Sequence, residues 1–160
     1  MKNLFLLSPI CFWSLVSNGQ SSLDKEAVKN VVIAFQDDFN EGGFKNAAAY
    51  STDDWEHINP LGGIDKGRDS VLKTVRAVHQ TILKGVTMRM ETMDIRFLTP
   101  DVAIADVIHK VGNYTTPDGA KHENEAHIKT YVVVKKKGKW LLAQDHNTVI
   151  QGSNTAANQN

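Results

Sequence analysis

The stretch from Ala126 to Thr148 restricts most strongly what this chain can fold into. It reads as two long strands, His127 to Val134 and Trp140 to Val149, joined by the basic turn Lys135-Lys-Lys-Gly-Lys139. β-Branched and aromatic residues dominate the first arm, and Gly138 supplies the permissive backbone that a hairpin turn needs. The second arm is apolar on both parities, with Trp140 and Leu142 on one side and Leu141 and Ala143 on the other. Such a strand must be covered on both faces. It is therefore expected near the centre of a sheet, with helices against one face and a loop or a second subunit against the other.

The rest of the chain divides into helices first and strands afterwards. Leu23, Ala27, Val28, Val31, Phe35 and Phe39 recur at helical spacing, with Ser22 as the expected N-cap and Asn40-Glu-Gly-Gly43 as the stop. A short Ala-rich helix is expected from Phe44 to Tyr50, and a third from Arg68 to Leu83, ended by Lys84-Gly85. Between them lie a brief strand, Thr52 to Pro60, and the loop Leu61 to Gly67. Strands are then expected over Thr87–Leu98, Val102–Asn113 and Glu123–Lys135, separated by the turn sequences Thr99-Pro-Asp101 and Thr116-Pro-Asp-Gly119. Helices gathered in front of antiparallel strands define an α+β fold, here a curved antiparallel sheet laid on three N-terminal helices.

Residues 1–19 are set apart by Lys2, the apolar run Leu4 to Val16, and small residues at Ser17 and Gly19. That is the pattern of an export signal cut before Gln20, and it implies a secreted or periplasmic protein. The domain then spans 20–150, followed by a polar tail, 151–160, expected to be disordered. Cys11 is the single cysteine, so the cut leaves no thiol for disulfides, nucleophilic catalysis or metal binding.

Five segments together resemble one known family: Trp55-x-x-Ile58-Asn59-Pro60-x-Gly62, Lys66-Gly67-Arg68, His79-x-x-Ile82-x-x-Gly85, Arg96 to Ala103, and Trp140-x-Leu-Ala-x-x-His146-Asn147-Thr148. The chain is similar to the SgcJ/EcaC family of the SnoaL-like group, within the nuclear-transport-factor-2-like (cystatin-like) superfamily. The resemblance covers nearly all of Leu23 to Val149. It implies a cone with an internal pocket at its wide end, often dimeric through the sheet, and places Trp55 and Asn59 near the pocket mouth. Isomerases, cyclases, dehydratases and non-catalytic association domains share that superfamily, so the fold does not choose among them.

The candidate site residues follow from position and chemistry. His79 falls on the apolar face of the third helix with Val71, Leu72, Val75, Val78 and Ile82, either as a core histidine with a buried partner or as a catalytic group lining a pocket. Trp55, His57 and Asn59 share one side of their strand, and Asn59 can both donate and accept to orient a carbonyl or hydroxyl. His146 is taken to share the parity of Trp140, Leu142 and Gln144, and is the second catalytic candidate. Lys129 and Tyr131 share a parity, and Tyr131 and His109 are expected on the ligand-binding wall. Asp54 and Glu56 lie off the inward parity of Trp55, so neither provides a carboxylate base of the ketosteroid-isomerase kind.

Several partners are excluded. Lys plus Arg and Asp plus Glu both number 18, so no long-range field draws nucleic acid or an anionic membrane. His122 and His127 stand five apart instead of four, which argues against a zinc helix, and no G-x-G-x-x-G fingerprint is present. No metal and no cofactor is expected, nor any membrane contact once the signal is cut. The expected partner is a small apolar or aromatic molecule bearing oxygen. The alternative is a non-catalytic association module, and in both cases the two-sided apolarity of Trp140 to Ala143 points to a homodimer.

Overall fold

The hairpin forms where the alternation places it. β7 (Glu125–Lys136) and β8 (Lys139–Val149) pair antiparallel from His127↔Val149 to Lys136↔Lys139. Lys137 and Gly138 turn with φ of 51° and 78°, the double positive φ that suits the right-handed twist of a two-residue hairpin. The structure is a computed structural model that describes residues 14–152. Most of the expected export segment and nearly all of the expected tail lie outside the described residues.

The other elements are α1 (Ser14–Glu41), α2 (Ala47–Tyr50), β1 (Ser51–Ile58), β2 (Ile64–Lys66), α3 (Arg68–Gln80), β3 (Met88–Thr99), β4 (Val102–Val111), β5 (Tyr114–Thr115) and β6 (Lys121–His122). Six strands form one sheet in the order β2-β1-β8-β7-β4-β3, with β8 central as its apolarity requires. Its pairs are antiparallel except β1 with β8, which run parallel. Extra residues interrupt the register between Met90 and Thr92, between Phe97 and Thr99, and opposite Val132 and Val133. Bulges of this kind bend a strand and increase its twist, and here they fall along β3 and β8.

The bulge on β8 decides the site. Val133 faces Leu142 while Val132 faces Gln144, so Ala143 is the extra residue and the inward parity changes behind it. Trp140 and Leu142 are buried, and the next buried residue is Asp145, with His146 exposed. The expectation that His146 continues the parity of Trp140 and Leu142 is overturned: one inserted residue turns it to the outer face.

α1 lies across the inner face and buries Val28, Val31, Val32 and Phe35. Phe35 is the hub, edge-on to Phe44, Tyr50, Trp55 and Tyr131 with centroid separations of 5.9, 6.5, 6.2 and 5.5 Å. The same helix protects the edge of the sheet, because Gln36 Oε1 accepts from Met90 N at 2.7 Å and Asn40 exchanges two hydrogen bonds with the backbone of Met88. Side chains four apart on a helix meet backbone groups two apart on a strand, which blunts an otherwise open edge.

Other expectations at the element ends are corrected. α1 begins at Ser14, so Ser22 lies inside it and is not a cap, and Leu23 is 68% exposed instead of facing the core. α2 holds only Ala47–Tyr50, and α3 stops at Gln80, where Thr81 Oγ1 donates back to the Ala77 carbonyl at 2.9 Å. β2 and the β5–β6 hairpin stand where loops are expected. Strands of two or three residues, partly exposed, carry no alternation to read.

Because four aromatic rings and the sheet lean on Phe35, Phe35→Ala is expected to cost about 3–5 kcal/mol of stability. Urea melts against the parent protein check it, and a loss below about 1 kcal/mol contradicts the hub role.

Candidate functional site

Along β7 the inward parity is polar where a sheet core is ordinarily apolar. Glu125, His127, Lys129 and Tyr131 alternate with Ala126, Ile128 and Thr130, and all four are buried. The neighbouring strands bring Asp145 from β8, His109 from β4, and Trp55 and His57 from β1, while α3 adds His79.

Asp145 is the centre of this set and is fully buried. Trp55 Nε1 donates to its Oδ1 at 2.8 Å, and His57 Nδ1–H and Lys129 Nζ meet its Oδ2 at 2.8 and 2.7 Å. Burial by itself raises a carboxyl pKa, but the Lys129 ammonium and the His57 ring outweigh it and hold Asp145 well below the usual carboxylate range. The carboxylate is thus permanently ionised, and the hydrogen bond fixes the His57 tautomer with its proton on Nδ1. In the neutral ring the lone pair is on Nε2, and the His57 side chain keeps 11% of its surface exposed. Such an imidazole can accept a proton.

Lys129 is 4% exposed and its ammonium stands 4.2 Å over the face of Phe35. Its charge reaches two further imidazoles. His109 is pushed down to about 3 by burial, then by Lys129 and His127, and His79 to about 4 by burial and Lys129. Both rings are neutral near pH 7. His109 Nε2 lies 3.0 Å from the Tyr131 hydroxyl, while its Nδ1 is buried with no partner among the described residues. Burial, then Asp145 and Tyr50, raise the Tyr131 phenol well above its ordinary value. It stays protonated and can donate.

A second polar knot closes the neighbouring end of β7. Glu125 takes Tyr114 OH at 3.1 Å, His122 Nδ1 at 2.9 Å and His127 Nε2 at 3.2 Å, tying the β5–β6 hairpin to the main sheet. His122 and His127 therefore converge on one carboxylate, where a continuous strand would part them to opposite faces. Asn124, with φ of 46°, turns the chain between them. Among the described residues no group of three or more His, Cys, Asp or Glu has the disposition to hold a metal ion.

The structure distributes the candidate residues unevenly. Trp55 is fully buried and positions Asp145, not a pocket mouth. Asn59 is a turn residue: its Oδ1 accepts from Leu61 N at 2.9 Å and Gly63 N at 3.0 Å, which returns the chain into β2. His109 and Tyr131 form one bonded pair, and His146 is exposed on the outer side. His79 points inward as its helical position requires. In place of a buried hydrogen-bond partner it meets Phe39 and Phe44 edge-on at 4.4 and 5.2 Å. Asp145 is the residue that sequence reasoning missed, and His57 one that it placed on the side of Trp55 without a role; the polar inward parity of β7 was the signal that a charged partner must face Lys129. A separate groove of about 570 Å³ runs between α1, α2 and the hairpin tip. Its lining includes none of the inner polar set, so it is distinct from the Asp145 assembly.

A helix-backed, curved sheet with a polar inner wall at one end defines the SnoaL-like class of α+β domain. The profile of the SnoaL-like domain family matches residues 28–151, and the chain belongs to that family. Among solved structures, an uncharacterised Caulobacter vibrioides protein with a cystatin-like fold is similar at 25% identity and a TM-score of 0.76, over 80% of this chain and 90% of that one. A Novosphingobium aromaticivorans protein of the NTF2-like, cystatin-like fold matches at 14% identity and a TM-score of 0.74, over 93% and 96%. A type 2 hexachlorocyclohexane dehydrochlorinase matches at 14% identity and a TM-score of 0.67, over 82% and 88%. No curated protein matches the chain.

Two predictions follow from the site. His79 and His109 bind protons less tightly folded than unfolded, so the unfolded state holds more protons below their ordinary value of 6.5. Stability is expected to be full above that pH and to fall towards about 4, where His79 titrates in the folded state. Denaturant midpoints measured across this range check it. Since no hydrogen bond is stranded, His79→Leu is expected to reduce the slope while keeping stability near pH 7 within about 1 kcal/mol. Asp145→Asn, by contrast, leaves the Lys129 ammonium buried without its counter-charge and is expected to cost about 3–5 kcal/mol; a melt equal to that of the parent contradicts the pairing.

Proposed function

We propose that this SnoaL-like domain binds a small, apolar, oxygen-bearing molecule and transfers a proton to and from it, with His57 as the general base. The observation that carries this reading is the Asp145–His57 contact: a fully buried carboxylate holds the imidazole in one tautomer with Nε2 free to accept. Asp145 is not the base itself, because three donors occupy its two oxygens and lower its affinity for a proton. Lys129 supplies positive charge where a substrate oxygen becomes negative, in a setting of low dielectric. The Tyr131 hydroxyl, held beside His109, is the donor available for returning a proton. The family includes isomerases and dehydratases, whose reactions begin with such a proton transfer. Membership of the SgcJ/EcaC group and export with a cut before Gln20 belong to the same reading, and intact-mass measurement on secreted protein tests the cut.

The test needs no natural substrate. A panel of enolisable aromatic and steroidal ketones in D2O is expected to include one whose α-hydrogens exchange faster with the protein than without it, read by NMR. His57→Gln is expected to slow that exchange about 10²-fold or more while leaving the fold intact. Exchange that is equal with both proteins rejects His57 as base.

A second reading, the association module, is favoured by the outer face of the sheet. Ile104, Ile108, Val132, Val134 and Leu141 are only half-buried there, and Ile128 is 37% exposed. Contiguous apolar surface of this kind marks a protein contact. Sedimentation at micromolar concentration is expected to give a dimer, and Val132→Lys to give a monomer. A parent protein that sediments only as monomer rejects this reading.

A further inference from the structure

We propose that the groove between α1, α2 and the tip of the β7–β8 hairpin is a second ligand site, which takes a single-chain fatty acid with its carboxylate at Lys139. The groove shares no lining residue with the Asp145 assembly, so the proposal stands apart from the proton-transfer reading.

The floor is apolar and made largely of small side chains. Leu23, Ala27, Val31 and Ala34 recur along one stripe of α1, joined by Ala49 of α2 and by Trp140. One end lies at the hairpin, where Asp24 meets Lys135 and Trp140. The other lies at α2, since the Tyr50 ring stands 6.5 Å from that of Phe35, the neighbour of Ala34. At the rise of an α-helix the stripe from Leu23 to Ala34 is about 16 Å long, enough for an extended chain of about twelve carbons. The volume of about 570 Å³ falls within the range of small-molecule sites. A larger side chain at Ala27, Ala34 or Ala49 would fill this channel.

The two ends differ in charge. At the hairpin end Asp24 Oδ1 is held by Lys135 Nζ at 2.7 Å and by Trp140 Nε1 at 2.9 Å, so the ion pair is neutral as a unit. Lys136 pairs with Asp54. Lys139 lines the groove, is exposed, and has no carboxylate partner among the described residues. One positive charge is therefore unanswered at this end. At the α2 end the only titratable lining group among the described residues is the Tyr50 phenol, and Asn46 Nδ2 is already bound to Asp38 Oδ1 at 3.2 Å.

An apolar channel with a single cation at its mouth is complementary to an amphiphile with a single anionic head. The methylenes of a fatty acid bury against the alanine and valine floor, while its carboxylate accepts from Lys139 and still reaches water. A peptide fits less well, because its backbone N–H and C=O groups need partners that this floor does not supply. A cationic head meets repulsion from Lys139.

Dodecanoate, kept below its micelle concentration, is the probe, and dodecyltrimethylammonium is the control of equal chain length. Titration of the 15N-labelled protein is expected to move the amide resonances of Ala27, Ala34, Lys139 and Trp140, and dodecanoate is expected to bind at least tenfold more tightly than the cation. Lys139→Glu is expected to weaken dodecanoate binding at least tenfold. Lys84→Glu, the same change of charge at an exposed residue outside the groove, is expected to leave it unchanged. Ala49 is exposed, so Ala49→Trp fills the channel without disturbing the core and is expected to abolish binding. The resonance shifts of the parent protein alone decide the matter should a variant fail to fold. Equal binding of the two amphiphiles, shifts centred on His57 and Tyr131 instead of the groove, equal loss with Lys139→Glu and Lys84→Glu, or no binding overturns the proposal. A groove closed by a second copy of the chain shows as a dimer that Ala49→Trp dissociates and that dodecanoate does not enter, which also overturns it.

Discussion

A carboxylate closed off from water in the middle of a sheet is the constraint on which this structure turns. Asp145 can remain charged there only because β1 contributes two donors, the Trp55 indole and the His57 imidazole, and β7 contributes the Lys129 ammonium. Those contacts fix β1, β8 and β7 relative to one another more narrowly than apolar packing does, since each depends on direction as well as distance. Buried ion pairs add little net stability, because desolvation offsets their attraction. An apolar triplet at these positions could be as stable without fixing those directions, and the proposed proton transfer is what would use the charge.

The core around the assembly is arranged to keep it dry. Phe35 projects from the middle of α1 and sets its face under the ammonium and its edges against Trp55 and Tyr131, so the helix both buries the sheet and shields the charge. Gln36 and Asn40, beside and beyond Phe35 on the same helix, bind the backbone of β3 and hold the far side of the sheet to the helix. Low dielectric then acts on every group inside. Burial and the Lys129 charge keep His79 and His109 neutral, burial and the Asp145 charge keep Tyr131 protonated, and Lys129 with His57 keeps Asp145 ionised against its burial.

Much of the architecture was legible in the chain. The period of two in β7 and of 3.6 in α1 and α3 comes directly from backbone geometry, so the hairpin, the long helices, the inward side of His79 and the shared parity of Lys129 and Tyr131 were readable. Short elements were not: β2, β5 and β6 contain two or three residues each and are created by their partners. Asn59 illustrates a further difficulty. A polar side chain near glycines suits a ligand site and a turn equally well by composition, and only the distances from its Oδ1 to Leu61 N and Gly63 N identify the turn.

What the sequence determined by itself was an α+β chain with a central two-sided strand and a polar stripe along β7, because those are properties of local periodicity. Which residues meet was decided by the tertiary structure. Asp145 and His146 are neighbours on one strand, so one must face in and the other out, and Ala143 settles which by adding a single residue to β8. A bulge is a relation between two strands, set by how Val132 and Val133 pair across to Gln144 and Leu142. Side-chain direction alternates with every residue, and so this one insertion placed a carboxylate at the centre of the site and turned a histidine out to solvent.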